Sequence, residues 1–266
     1  AGDDIIEYEK SIASLAAVTK TKIGAMNTDI QGLARESGRS AIDVTKSFEN
    51  IGSKMSEYLT NPQALRNISR ASILLADASR MDIEEATEGL TSLMNQFGLK
   101  HDKALYLVNK LSAGEDVGAA TISQTIDMTR QFAASIRMAG GTAEEAIALV
   151  QATSKTMGNM GVGRGFRNIA IDMITGKGMD KNKQKALAMV GADIDVISAK
   201  STHFYDRLKE IKKLLGNNQA MGMFFKKTGM EAGGTFLREF ETYDKYLKSI
   251  HENNSAFEKA AKNSTT

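Results

Sequence analysis

The amino-acid sequence lacks several residue types that would allow particular structures or chemistry. Among its 266 residues there is no cysteine, no tryptophan and one proline, Pro62. Without cysteine the chain can form no disulfide bond, no thiolate nucleophile and no cysteine-ligated zinc site, which fits a reducing compartment. Because proline interrupts helix interiors, its near absence permits many helices. Long apolar runs are also missing, since no uncharged stretch approaches the ~20 residues of a membrane-spanning helix.

Glycines and capping residues divide the chain into short amphipathic segments. From Asp82 to Phe97, apolar residues recur every three or four positions, which indicates one buried helical face. Asp82 and Glu85 have the spacing of a capping box, and Gly98 follows where a left-handed residue commonly ends a helix. The same pattern predicts helices from Asn61 with Pro62, Asp102 to Gly114, Thr121 with Gln124 to Gly140, Thr142 with Glu145 to Gly158, Asp180 to Gly191, and Phe204 to Gly216.

The fold class follows from this pattern and from the lack of any competing one. No segment shows sustained alternation of polar and apolar residues, and no fixed period repeats along the chain. We therefore predict an all-α fold, in which helical hairpins separated by glycines pack into a multi-helix bundle without significant β-sheet. The helical region is expected to span residues 5–250, and residues 251–266 to form a polar C-terminal tail that frays. The missing initiator methionine suggests a fragment of a longer chain, or a processed one.

Charge is distributed unevenly along the chain, although the net charge is only +2. Residues 155–227 carry 14 basic and 6 acidic side chains, whereas residues 1–154 carry 15 and 20. A basic segment of this kind forms either an ordinary solvated surface or a contact with an anionic partner. The candidate contacts for such a partner surround two predicted turns: Arg164, Arg167, Lys177, Lys181, Lys183 and Lys185. Phe166 is the one aromatic residue among them, and it equally fits a core position.

Little in the sequence points to catalysis or to a bound cofactor or metal, and we predict none of the three. The glycine-rich stretch 158–165 lacks the spacing of a phosphate loop, so a turned helix connection is favoured. The three histidines, His101, His203 and His251, lie far apart. Two of the acidic pairs fall in predicted first helical turns, where negative charge is favourable; the pairs are Glu84-Glu85, Glu115-Asp116 and Glu144-Glu145. Methionines fill cores more often than they form binding surfaces; the candidates are Met157, Met160, Met173, Met179, Met221, Met223 and Met230.

The order of several segments resembles the core region of phage tail tape measure proteins. These segments are Glu9–Thr19, Leu33–Gly38 with Val44–Ile51, Met81–Leu90 with Asn95–Gly98, Thr142–Ile147 leading to Gly158–Gly161 and Gly165–Arg167, Val190–Gly191, and Phe224–Phe225 with Gly229–Ala232. Their colinear order over residues 5–250 carries the resemblance, since no single motif is specific. The triplet at 163–165 departs from the family, which more often has a turn containing lysine, serine and alanine.

The resemblance implies a structural, non-enzymatic protein of the virion tail that is assembled in the host cytoplasm. A tape measure protein packs inside the tail tube, governs tube length and leaves ahead of the genome on infection. Its expected partners are further copies of itself, tail tube proteins, tail tip or baseplate proteins and tail assembly chaperones, without a small-molecule substrate. Three alternatives stay open. They are an ejection factor that contacts host membrane or genome DNA through residues 155–227, a component of a phage-tail-like bacteriocin particle, and a cell-wall hydrolase.

Overall fold

A computed structural model describes residues 2–157 and 159–265, with all of their side chains except those of 159–162, 227–229 and 232. Throughout these residues the regular elements are helices and no strand occurs, so the prediction of an all-α fold is confirmed. Within the same residues, no helix combines the length and apolar character that crossing a membrane requires. Contacts divide the chain into two compact units, which are Ala1–Ser112 with Ser255–Thr266, and Ala113–Asn254.

The first unit is built around one central helix. Its helices are α1 (Gly2–Thr19), α2 (Ile23–Ser37), α3 (Ala41–Lys54), α4 (Pro62–Ser79), α5 (Ile83–Phe97) and α16 (Ala256–Ser264), with part of α6 (Ala104–Val117). The central helix is α4, which packs against α2, α3, α5 and α16. Pro62 occupies its first position, and the side chain of Asn61 accepts a hydrogen bond from the Ala64 amide at 3.1 Å, as the sequence predicts. The predicted capping box before α5 is wrong, because the Asp82 side chain accepts no hydrogen bond there.

Residues 255–266 belong to the first unit, although they follow the second unit in sequence. The hydroxyl groups of Ser112 and Ser255 lie 2.7 Å apart, where the chain returns. Farther along α16, the amide of Asn263 donates hydrogen bonds to the carbonyl oxygens of Asp77 and Ala78, at 2.9 and 3.0 Å. These carbonyls lie in the last turn of α4, where they have no partner within the helix. The segment treated as a polar tail by sequence therefore forms a helix that caps α4.

The second unit contains shorter helices. They are α7 (Ile122–Arg130), α8 (Ala133–Met138), α9 (Ala143–Thr153), α10 (Asn159–Thr175), α11 (Lys181–Met189), α12 (Ile194–Ser198), α13 (Phe204–Lys212), α14 (Asn218–Arg238) and α15 (Phe240–Glu252). The capping boxes of Thr121 with Gln124 and of Thr142 with Glu145 are confirmed. The single helix predicted from Thr121 to Gly140 is wrong, because Phe132 adopts φ −139° and interrupts it.

Aromatic rings form the core of the second unit. The ring of Phe132 lies 5.3 Å from that of Phe166, which lies 5.5 Å from Phe236. Phe236 in turn lies 6.2 Å from Phe240 and 6.3 Å from Tyr243. All five side chains are buried, which places Phe166 in the core. Four of the candidate methionines are buried as well, as core filling requires: Met157, Met173, Met179 and Met221.

Two glycines lie inside helices, although one was expected near a helix end and the other in a turned connection. Helix α6 continues past Gly114 to Val117, and α10 runs through Gly163. A Cβ atom at Gly114 would lie 2.5 Å from Cγ2 of Ile147, and one at Gly163 would lie 2.7 Å from Cβ of Gln131. Glycine fits both positions because another part of the chain approaches the helix closely there. Helix α6, which was predicted to end near Gly114, ends three residues later at Val117.

Candidate interaction surface

The glycine-rich stretch of residues 158–165 is helical over the part that the structure describes. Helix α10 begins at Asn159, so the turned connection predicted for this stretch is wrong from there onward, whereas Gly158 lies outside the described residues. Because glycine at 163 allows α10 to approach Gln131, the glycines serve packing here. Arg164 and Arg167 consequently project from a continuous helix, where both side chains are exposed.

The six candidate basic residues fall into two groups in the structure. Arg164 and Arg167 on α10, and Lys181 and Lys185 on α11, are exposed. None of these four forms an ion pair with a carboxylate of the described residues. Lys177 and Lys183 each have an acidic partner, as described below. The exposed group of four therefore carries whatever attraction this region has for an anionic partner.

The side chain of Lys183 lies mostly in the interior of the second unit. Its Nζ lies 2.7 Å from Oδ2 of Asp172, and the side chains are 19% and 13% exposed. The same nitrogen lies 5.3 Å from the centre of the Phe224 ring. Burial raises the pKa of Asp172, and the hydrogen bond from Lys183 partly offsets that increase. Lys177, in contrast, pairs with Asp195 at 2.9 Å in a solvated position, where an ion pair contributes little.

Two adjacent carboxylates at the start of α9 are buried, which the sequence did not indicate. Both Glu144 and Glu145 lie in the first turn, as predicted, yet they are only 5% and 8% exposed. Oε1 of Glu145 accepts hydrogen bonds from the backbone amide and hydroxyl of Thr142, at 3.2 and 3.1 Å. Its Oε2 accepts one from the hydroxyl of Tyr243 at 3.3 Å. Glu145 thus joins the capping box to the aromatic core.

The environment of Glu145 alters its pKa and couples folding to pH. Burial raises this pKa, the hydrogen bonds from Thr142 and then Tyr243 oppose the increase, and the charge of Glu144 adds to it. A raised folded-state pKa means that the charged form is disfavoured in the native state. The stability that Glu145 contributes is therefore fully present below its ordinary pKa of 4.5, and it is lost as pH rises through the folded value.

The Glu145→Gln variant should lose this pH dependence and keep the capping box, which glutamine also forms. Between acidic and neutral pH, the wild-type protein should lose stability relative to the variant, because only the wild type acquires a buried charge. Urea unfolding at several pH values measures the difference. Glu241→Gln, an exposed substitution on α15, is the matched control and should follow the wild type. Equal pH slopes for wild type and Glu145→Gln would contradict the assignment.

Arg207 is the largest fully buried side chain in the described part of the chain. Its Nε donates a hydrogen bond to the carbonyl of Ile197 at 2.6 Å, Nη1 donates to that of Ala139, and Nη2 reaches that of Met173 at 3.4 Å. These carbonyls lie at the C-terminal ends of α12, α8 and α10, where the helix dipole is negative. Burial lowers the pKa of Arg207. The guanidinium therefore links three helix ends and does not face solvent.

The histidines do not form a site. No three His, Cys, Asp or Glu side chains of the described residues are placed to hold a metal ion. Nδ1 of His101 lies 3.0 Å from the side-chain amide nitrogen of Asn67. The centre of its ring lies 5.3 Å from that of Tyr58, in an edge-on arrangement. His203 precedes the first turn of α13 without a side-chain cap bond. His101 thus has local side-chain contacts, whereas His203 is exposed.

Comparisons with known proteins give one match. The family model described as phage-related minor tail protein matches residues 27–233. No curated protein and no solved structure matches the chain. The match includes α10, α11, the carboxylates of α9 and Arg207, whereas Tyr243 lies beyond its C-terminal limit.

Proposed function

This chain belongs to the family of phage-related minor tail proteins, and on that premise we propose that it is a segment of a tail tape measure protein. Its role as a structural component of the virion tail follows from the family. The observation that carries the finer assignment is the agreement in extent between two likenesses. The family match over residues 27–233 lies within the colinear resemblance to tape measure proteins over residues 5–250.

The helical architecture supports a particular place within such a protein. The helices of the described residues are short, and they fold back into two compact units. An extended ruler would need long uninterrupted helices, since an α-helix rises only about 1.5 Å per residue. We therefore assign this segment to the compact region of a tape measure protein, whose rod-like parts lie elsewhere in the parent chain.

The proposal includes the partners of the segment, its place of assembly and its release on infection. The segment would contact further copies of itself, tail tube proteins, tail tip or baseplate proteins and tail assembly chaperones, and it would assemble in the host cytoplasm. On infection it would leave the tube ahead of the genome, with the host membrane and genome DNA as transient contacts.

We further propose that it is not an enzyme. A peptidoglycan-release assay with the purified chain should give no activity above background, and measurable release would overturn that part.

Removal of the parent gene from its phage tests the tail-length role. We expect tubes of irregular length or no completed tails, because tube growth would lose its length standard. Electron microscopy of lysates measures the length distribution, and supply of the intact gene in trans is the control that should restore one uniform length. Completed tails of normal, uniform length without the parent protein would contradict the proposal. Normal-length tubes that only fail to attach at their tip would indicate a tip protein instead.

A further inference from the structure

One helical face in the second unit is exposed and has an unusual composition. Arg164, Arg167, Ile171 and Ile174 lie at offsets of 0, 3, 7 and 10 along α10, which places them on one side of a helix with 3.6 residues per turn. Both arginines are exposed, and the isoleucines are 46% and 39% exposed. We refer to these four residues as the α10 face. Single exposed apolar residues are ordinary, but aligned isoleucines beside aligned arginines have the spacing of helix-in-groove recognition.

The first unit carries a groove of the opposite charge. It lies between α3 and the start of α5, and its volume is about 650 Å³. Six carboxylates line it: Asp43, Glu49, Asp82, Glu84, Glu85 and Glu88. Its two cations are Lys46 and Arg39, of which Arg39 is paired with Asp77 at 2.7 Å, so carboxylates outnumber cations in the lining. We refer to this feature as the α3–α5 groove.

The α3–α5 groove also has an apolar component. Met81 and Ile83 are half-buried and line it together with the carboxylates. A bare cluster of acidic residues would favour small cations, whereas mixed carboxylates and apolar side chains fit a surface of mixed arginines and isoleucines. Charge and apolar surface are thus complementary between this groove and the α10 face, and both occur on the same chain.

We propose that the α10 face of one copy docks into the α3–α5 groove of a second copy. Arg164 and Arg167 would meet the carboxylates, and Ile171 and Ile174 would cover Met81 and Ile83. The two surfaces differ, so the contact is heterologous: each copy keeps a free face and a free groove, and association continues into a ring or an open chain. This deepens the proposed function, on which it rests only for the expectation of self-association.

Charge reversal on each surface provides the test. Arg164→Glu with Arg167→Glu defines the face variant, and Glu49→Lys with Glu85→Lys defines the groove variant. Sedimentation at low salt, where surface charges are least screened, should show concentration-dependent association of the wild type. Either variant alone should associate roughly 100-fold more weakly, because the face variant sets like charges against each other and the groove variant loses most of the negative charge that attracts the arginines. Circular dichroism checks that the exposed substitutions leave the helices intact.

Mixing the two variants distinguishes a heterologous contact from any other. One intact face and one intact groove remain in the mixture, so it should form dimers that grow no further. A chain carrying all four substitutions has neither surface intact, so it should associate no more tightly than either variant alone. Lys181→Glu with Lys185→Glu, an equal charge change on α11, is the control and should associate like the wild type.

Several results would overturn the contact. They are a wild type that stays monomeric at its highest soluble concentration in low salt, unchanged association of the face or groove variant, and a mixture that stays monomeric. Binding to anionic vesicles or to DNA that only the face variant loses, without any self-association, would assign the α10 face to a different partner. None of these results would affect the tail-length experiment, which measures the parent protein in its phage.

Discussion

The Arg207→Met variant should lose about 3 kcal/mol or more of stability in the second unit, because a buried carbonyl left without a donor costs ~1–3 kcal/mol. Methionine fills a similar volume but cannot donate to the carbonyls of Ala139, Met173 and Ile197, all of which Arg207 now contacts. The Arg207→Lys variant should lose nearly as much stability. A single ammonium group cannot reproduce the planar fork that reaches three separate helix ends.

Hydrogen exchange of individual peptides is the appropriate measurement for Arg207→Met, since it reports on each unit separately. A loss of 3 kcal/mol corresponds to roughly 100-fold faster exchange in the second unit, with each 1.4 kcal/mol giving about tenfold. Peptides from α4 and α5 in the first unit should be unchanged. Arg137→Met is the matched control, because Arg137 is exposed on α8 and lies outside the α10 face, and it should shift exchange by less than ~0.5 kcal/mol. Equal effects of the two variants would show that Arg207 does not join the helix ends.

The Phe236→Ala variant should destabilise the same unit by about 3–5 kcal/mol, the usual cost of deleting a buried aromatic side chain. Phe236 is fully buried, and its ring contacts those of Phe166, Phe240 and Tyr243. Removing it would leave a cavity among aromatic neighbours that are held by two other helices, α10 and α15. Leucine should cost less than alanine, because it restores part of the lost volume.

Urea unfolding followed by helical circular dichroism measures the loss at Phe236, with hydrogen exchange assigning it to the second unit. Phe257→Ala is the matched control: Phe257 is 58% exposed on α16, and its removal should change stability by less than ~0.5 kcal/mol. If Phe236→Ala unfolded at the same urea concentration as the control, the aromatic cluster would not be the core of this unit.

Local signals in the sequence were sufficient for much of the helical architecture. Thr142 and Glu145 predicted their capping box correctly, because its two hydrogen bonds depend only on residues three positions apart. Gly98 and Gly191 follow α5 and α11 with φ of 66° and 70°, as left-handed helix ends require. Such features involve a single turn of the chain, and no tertiary contact is needed to specify them.

Features that depend on a distant partner were not predictable in the same way. From its identity alone Gly163 looks like a turn glycine, yet its role is set by Gln131, which lies in the turn between α7 and α8. Arg207 shares the buried face of α13 with Phe204 and Leu208, and a charged residue at that helical position was the one available signal. The sequence could not show which groups receive its hydrogen bonds. Likewise, the basic cluster was visible, but the burial of Lys183 against Asp172 was not.

The return of the chain through α16 has a mechanical consequence. The second unit is inserted between Ser112 and Ser255, whose hydroxyls are 2.7 Å apart, so its two ends start from one point. A pulling force applied across the whole segment would load α1 and α16, at the two ends of the first unit, before it reached the inserted unit. On α16 it would load the attachment to α4, including the bonds of Asn263. While α16 stays attached to α4, the inserted unit bears no tension. Forced extension should therefore proceed in two steps, with α16 detaching before residues 113–254 begin to unravel.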